Sequence, residues 1–560
     1  MPKRSQTRSG GQILVDQLKI HGVDHAFCVP GESYLAVLDA LHDARNQIRL
    51  LTCRQEGGAA FMAEAYGKLT GRPGICFVTR GPGATNASIG VHTAFQDSSP
   101  MILFIGQVAR DQVEREAFQE VDFRRMFGPM AKWVAQIDDA ARIPELVSQA
   151  FHRAVSGRPG PVVIALPEDM LTDHAEAEDV APYKIVQPYP GVADLEAMRG
   201  LLSHARQPLM ILGGGGWTAA AVDNIRMFAE TNHLPVGVSF RCQDLFDNSH
   251  PNYAGHVGIG IDPALGERVK NADLLLVVGA RLGEMTTSGY SLLKVPVPQQ
   301  TLIHVHGGAE ELGRVYQATL PINAGMVPFA AAARGLQPVE SAAWRDWTKS
   351  ANADYLATLK PTQSPGPLQM ADIVTWLRGR LPADAIITNG AGNYTTWVHR
   401  FHQYRKFRTQ LAPTAGSMGY GVPAAVAAKA VHPTRTVVSF AGDGCFLMNG
   451  QELATAVQYG LGIIFIVVNN GMYGTIRAHQ EREYPGRESG TGLVNPDFAA
   501  LARAYGAHGA TVEKTADFAA AFDAAAKSGK PALIEIKLDP EAISPRMSLS
   551  QIRERALAKA

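Results

Sequence analysis

Apolar residues along the chain follow two rhythms. Short, almost wholly apolar runs recur at residues 74–78, 101–105, 161–166, 273–279, 301–305, 385–388, 436–440, 463–468 and 532–536. Between them lie segments whose apolar positions fall at helical spacing, as at 12–20 and 451–459. Runs this short and uniform are expected of strands buried on both faces, which parallel sheets provide. A further strand at 25–29 ends at Pro30-Gly31. The alternation predicts an α/β fold of doubly wound parallel sheets.

A chain of 560 residues suggests three or four domains. Three blocks emerge, with bounds 1–180, 190–340 and 365–560, joined by linkers at 181–192 and 337–368. Lys+Arg 52 balances Asp+Glu 52, which leaves no electrostatic footprint for nucleic acid or an anionic membrane. No apolar run approaches the ~18 residues of a membrane helix. The basic start, residues 2–9, reads as a frayed terminus and not as a signal peptide. Five scattered cysteines without metal-type spacing fit reduced, buried thiols in a cytoplasmic protein. The glycine run at 213–216 follows a strand, so it either admits a nucleotide phosphate or makes a tight turn. The dinucleotide fingerprint spacing is missing.

Chemistry is written most plainly at two strand ends. Gly442-Asp443-Gly444 follows the run at 436–440, and Asn469-Asn470 follows the run at 463–468. Parallel strands deliver Asp443 and Asn470 to the same sheet edge, where open α/β sheets bind ligands. A carboxylate and an amide oxygen suit Mg2+, which normally holds a diphosphate as well. Glycines beside Asp443 let backbone N–H groups approach phosphate oxygens. Gly-Asp-Gly alone marks ordinary turns; the strand and the Asn pair at this spacing are what point to a cation.

Shorter motifs accompany it: Arg54-Gln-Glu56-Gly-Gly58 with Met62-Ala-Glu-Ala-Tyr66, Gly81-Pro-Gly-Ala-Thr-Asn86, Ile105-Gly-Gln-Val108, Ala117-Phe-Gln-Glu120, Gly157-Arg-Pro-Gly-Pro161 and Gly416-Ser-Met-Gly-Tyr-Gly421. In this order the chain resembles thiamine diphosphate-dependent enzymes of the acetolactate synthase, pyruvate oxidase and benzoylformate decarboxylase group, over essentially its whole length. The resemblance implies pyrimidine-binding, central and diphosphate-binding domains. It also implies a homodimer or homotetramer with active sites between subunits.

By the same resemblance, Glu56 shares a proton with the pyrimidine ring, which lets the cofactor deprotonate its own reactive carbon. Met418 props the two cofactor rings, and the Gly416 carbonyl accepts from the pyrimidine amino group. Asp443, Asn470 and the Met472 carbonyl correspond to Mg2+ ligands. Asn393, Thr395, Gly442, Gly444, Cys445 and Tyr473 stand at diphosphate positions. Gly31, Phe118, Gln119 and Lys132 match the substrate side, with Gln119 and Glu32 as further catalytic candidates.

Departures keep the reaction open. Gly31-Glu32 replaces the Gly-Gly of acetolactate synthases, and Glu168 stands where they carry lysine after Leu166-Pro167. Glu32 falls where pyruvate-type decarboxylases carry an aspartate, although their histidine pair is missing. Residues 471–477 resemble benzoylformate decarboxylase. The expectation is decarboxylation of a 2-oxo acid with acetolactate synthase-like carboligation; the alternatives are a non-ligating decarboxylase and a flavin-linked oxidase. FAD stays open too. His304-Val-His306-Gly-Gly308 lacks the acid that holds adenosine ribose in flavin-binding members, while Arg158, Arg281 and the turn at 213–216 are compatible with it.

Overall fold

The computed structural model describes residues 7–558. Its architecture is three six-stranded parallel sheets flanked by helices, plus a two-stranded antiparallel ribbon. The chain divides into two compact units. One comprises the residues up to Val186 with 426–433 and 449–459; the other comprises 187–425, 434–448 and 460–560.

In the first unit the sheet runs Arg49–Thr52, His25–Cys28, Gly74–Val78, Met101–Gln107, Pro161–Pro167, Trp133–Gln136. The inner strands Gly74–Val78, Met101–Gln107 and Pro161–Pro167 are buried at every residue, as their near-uniform apolarity predicts. Stacked rings of Phe77 and Phe104, 5.0 Å apart, tie neighbouring strands together. Strand order reverses between His25–Cys28 and Gly74–Val78, so the loops after these two strands open a crevice at the carboxyl edge. The short helix Glu452–Gln458, distant in sequence, belongs to this unit. At the amino end Arg8–Ser9 pairs with His174–Ala175, and Ser9 caps the helix Gly10–Ile20. That ladder corrects the expectation of a frayed start for these two residues; the rest of that stretch, up to residue 6, lies outside the described residues.

The second unit holds two sheets. The central one runs Tyr253–His256, Val236–Val238, Pro208–Leu212, Leu274–Val278, Thr301–His306, Leu320–Asn323. The last sheet runs Gln410–Leu411, Ile386–Asn389, Val437–Gly442, Ile464–Asn469, Ala532–Lys537, His508–Val512. It repeats the strand order of the first unit's sheet, with its reversal between Ile386–Asn389 and Val437–Gly442. The expected linker at 337–368 is largely structured. It contains the helix Arg345–Thr358 and the buried Trp344, whose indole N–H donates to the Asn232 carbonyl at 3.0 Å. Among the described residues no helix is long and apolar enough to cross a membrane.

Candidate active site

Predicted site residues gather in two groups, one in each unit. In the first unit they surround the crevice where strand order reverses. Glu56 opens the helix Glu56–Thr70, capped by Gln55, whose side-chain oxygen accepts from Gly58 N at 2.9 Å. Asn86 Nδ2 donates to Glu56 Oε2 at 2.9 Å. A Cβ at Gly83 would stand 3.6 Å from Glu56 Oε1 and 3.1 Å from Thr79 Cγ2. Gly31 presses its bare backbone against the other side of Thr79. Thr79 therefore touches both the Gly31-Glu32 turn and Gly83, the glycine beside Glu56.

Arg80, next in sequence, is 6% exposed and bridges two carboxylates: Nη1 donates to Glu32 Oε1 at 3.1 Å, and Nη2 pairs with Glu168. Its Nε is buried and has no hydrogen-bond partner among the described residues. The two acids that depart from the acetolactate synthase pattern thus share one buried cation. The Gln119 carbonyl accepts from Gly81 N at 2.9 Å, and Gln119 sits at φ 66°, with Glu114 and Glu116 also left-handed. Three such residues within a short loop are strained, and strain of this kind clusters at ligand-binding segments. Phe118 beside it is 72% exposed. Lys132 is not brought here. It precedes the strand Trp133–Gln136, at the amino edge of the sheet opposite Glu56, and its ammonium donates to the Ser156 carbonyl at 2.5 Å.

In the second unit the loops after Ile386–Asn389 and Val437–Gly442 flank the other reversal point. Asp443 follows directly on its strand and opens the helix Asp443–Asn449. Its Oδ1 accepts from Gly444 N at 2.8 Å; its Oδ2 accepts from Gly471 N at 2.9 Å and Asn495 Nδ2 at 2.8 Å. Burial pushes this carboxyl above the usual carboxylate range, against the pull of these donors. Asn495 also donates to Asn469 Oδ1 at 2.9 Å, while its own Oδ1 is buried with no partner among the described residues.

A Cβ at Gly444 would lie 2.5 Å from Tyr473 Cε1, and one at Gly474 would lie 2.7 Å from Asn393 Oδ1 and 3.0 Å from Asn470 Nδ2. Asn393, Gly442, Asp443, Gly444, Asn470 and Tyr473 are therefore neighbours. The Met472 carbonyl accepts from Gly474 N at 2.9 Å, and Thr395 Oγ1 donates to Gly392 O at 2.8 Å. Cys445 turns its thiol inward, where Gly419 N donates to it at 3.2 Å, so only its backbone faces the turn. Gly416 is exposed at φ 71°, and Met418, half-buried, packs on the core of this domain.

These residues fit a diphosphate held by a divalent cation. Bare glycine backbone leaves room for phosphate oxygens, and the Asn470 amide makes no hydrogen bond to the described residues. Among those residues no three His, Cys, Asp or Glu side chains converge as a metal site. The candidate ligand set accordingly consists of one carboxylate with amide and carbonyl oxygens, the hard donors Mg2+ takes.

Asn495, Asn86 and Arg80 escaped sequence reasoning. Asn86 closes a quoted motif and Arg80 precedes it, so adjacency was their signal. Asn495 lies in irregular chain and had none. The central glycine run is a tight crossing: Gly214, at φ 69°, packs on Gly279 O, and Trp217 covers the turn by donating to Gly213 O at 2.8 Å. Arg281 is engaged by Glu311 at 3.2 Å. Arg158 belongs to the first unit, tied to Ser98 at 2.8 Å.

Family models match three segments. Residues 8–126 match the N-terminal TPP binding domain of thiamine pyrophosphate enzymes, 195–332 their central domain, and 390–536 their C-terminal TPP binding domain. The chain is 34% identical to an acetolactate synthase large subunit of Parasynechococcus marenigrum, over 95% of this chain and 88% of that protein. It is 31% identical to the acetolactate synthase isozyme 2 large subunit of Escherichia coli, covering 95% and 96%. For the acetolactate synthase large subunit of Corynebacterium glutamicum the identity is 32%, covering 95% and 87%.

Proposed function

Because this chain belongs to the thiamine pyrophosphate enzyme family, we propose that it decarboxylates a 2-oxo acid with thiamine diphosphate and Mg2+ and joins the remaining fragment to a second carbonyl compound, as an acetolactate synthase-like carboligase. The observation that carries this reading is the gathering of Asp443, Asn470 and bare glycine backbone at one reversal point, while in a sheet with the same strand order Glu56, entering from the edge strand, lies beside Gly83 after the strand at the corresponding reversal. Bound there, thiamine diphosphate supplies the electron sink that lets a carboxylate leave as carbon dioxide. Asp443, Asn470 and the Met472 carbonyl would hold Mg2+. Gly442, Gly444, Cys445 backbone, Asn393, Thr395 and Tyr473 would surround the diphosphate, with Gly416 and Met418 toward the rings. Asn86 fixes one oxygen of Glu56 and leaves the other to hold a proton for the pyrimidine nitrogen. The strained loop carrying Phe118 and Gln119 would shield the reacting carbonyl from water.

We further propose a cytoplasmic homodimer or homotetramer built from domains 1–180, 190–340 and 365–560, with each site completed by a second subunit. Family kinship supports the assembly. A second reading, a non-ligating decarboxylase, is favoured by the Glu32–Arg80–Glu168 cluster, which offers an acid beside the crevice. A flavin-linked oxidase has less support, since Trp217 and Met326 crowd the central glycine turn.

The test is a product screen with pyruvate and benzoylformate, cofactor and Mg2+ supplied. A ligated hydroxy-keto product is expected. Aldehyde alone would favour the second reading, and no consumption of either acid would reject both.

A further inference from the structure

The turn leading into Glu56 is held by a side chain 398 residues further along the chain. After the edge strand Arg49–Thr52 the backbone leaves its ladder, and the freed N–H groups need partners. Glu452 Oε1 accepts from both Arg54 N and Gln55 N, each at 3.0 Å. Its other oxygen accepts from Thr455 Oγ1 at 2.6 Å. Glu452 is 0% exposed, so its carboxyl has exchanged water for bonds such as these. Nearby residues extend the grip: Gln458 Oε1 accepts from Arg54 Nη2 at 2.6 Å, and Tyr459 Oη accepts from Thr52 N at 2.7 Å. A Cβ at Gly58 would stand 2.6 Å from Glu452 Oε1, so the carboxylate packs directly on the first turn of the Glu56 helix.

We propose that Glu452 is a positioning residue for Glu56. By accepting the two N–H groups that immediately precede Glu56, it fixes where the helix Glu56–Thr70 starts and so where the Glu56 carboxyl is presented. It reaches no reactant itself. The proposal rests on Glu56 being the proton-holding group. What it adds is that a carboxylate from the stretch between Asp443 and Asn470 sets that group's placement. Reach, not charge, is what the geometry requires: a glutamine at this position keeps an acceptor oxygen in place, while an aspartate is too short to span both N–H groups.

The test compares full-length Glu452→Gln, Glu452→Asp and Glu452→Ala with the parent. Backbone hydrogen–deuterium exchange over residues 51–58 needs no substrate. Exchange at Arg54 and Gln55 should quicken by roughly tenfold or more in the Asp and Ala variants and stay near the parent in Gln. With whichever 2-oxo acid the parent consumes, kcat should fall by roughly tenfold or more in Asp, with KM and cofactor affinity within about threefold, and Gln should recover most of it. Unchanged exchange in Asp overturns the proposal. Changed exchange with an unchanged kcat, or a Gln variant as slow as Asp, overturns it as well. If Ala does not fold, the Asp and Gln pair decides. A parent that consumes no 2-oxo acid sinks the proposed reaction instead, and the exchange result still stands.

Discussion

Gly444 shows how little space one residue has at the diphosphate end. Its missing side chain is what lets Tyr473 close over the turn, with Leu493 Cδ1 also within 3.2 Å of where a Cβ would be. Gly444→Ala must push the tyrosine aside, and overpacking of this kind costs about 1–3 kcal/mol. Cofactor affinity should fall by roughly tenfold, since the displaced ring lies where diphosphate oxygens are expected. Thermal midpoints with and without thiamine diphosphate and Mg2+ check this: the rise on adding cofactor should shrink in the variant. His21 governs a different response. Burial, with His152 adding to it, lowers its pKa to about 4, and its Nδ1 accepts from Tyr183 N at 3.2 Å, which the neutral ring alone can do. The unfolded chain takes up this proton near the ordinary histidine value of 6.5, so between there and about 4 unfolding binds a proton that the native state refuses. Stability is therefore full above that window and is lost as pH falls through it, on the order of 2–3 kcal/mol by its lower end. Thermal midpoints at neutral and mildly acid pH should drop for the parent, and drop less for His21→Phe.

Arg80 ties together the ends of three strands, and its partners are unequal. The Glu32 side chain is 68% exposed and that of Glu168 33%, so the Glu32 pair is screened and adds little stability. Glu32→Gln should leave the melting point nearly unchanged. If Glu32 also acts on the substrate, the same change should slow turnover by roughly a hundredfold, the usual worth of a general acid. Arg80→Met, by contrast, should lower the melting point measurably, because it leaves two carboxylates without their cation. Steady-state kinetics beside melting curves separate these outcomes, and slowing only in proportion to destabilisation would remove Glu32 from the reaction. Why the sequence revealed Glu32 but hid Arg80 is a matter of elements. Inner strands such as Met101–Gln107 and Pro161–Pro167 are almost wholly apolar runs and were legible. The outermost strands Arg49–Thr52, Trp133–Gln136, Tyr253–His256, Leu320–Asn323, Gln410–Leu411 and His508–Val512 were not, being short and covered on fewer sides. The metal-side motifs, Gly442-Asp443-Gly444 and Asn469-Asn470, sit after inner strands, so that chemistry could be placed without the edges; Glu56 and the Gly416–Met418 turn follow outermost strands. The hold of Glu452 on the Glu56 turn was illegible because it begins at just such an edge and ends on a helix from another part of the chain.

For the molecule as a whole, the two groups of site residues pose a question of assembly. Glu56 and Asp443 are carried by separate compact units of one chain. If each site takes Glu56 from one subunit and Asp443 from another, lesions at the two positions can be separated in a mixed oligomer. Glu56→Gln and Asp443→Ala homodimers would each have both sites damaged. In a heterodimer of the two, symmetry places both lesions in one site and leaves the other intact. Random pairing makes half of the dimers mixed, each with one working site, so activity should recover to about a quarter of the parental value. Co-expression with two affinity tags, followed by tandem purification of the mixed species, raises the expected figure to about a half. Sites formed wholly within one chain predict the opposite, since every chain would then carry one lesion in its own site and mixing would restore nothing. The recovered activity per mixed dimer therefore decides whether the catalytic unit is the chain or the pair.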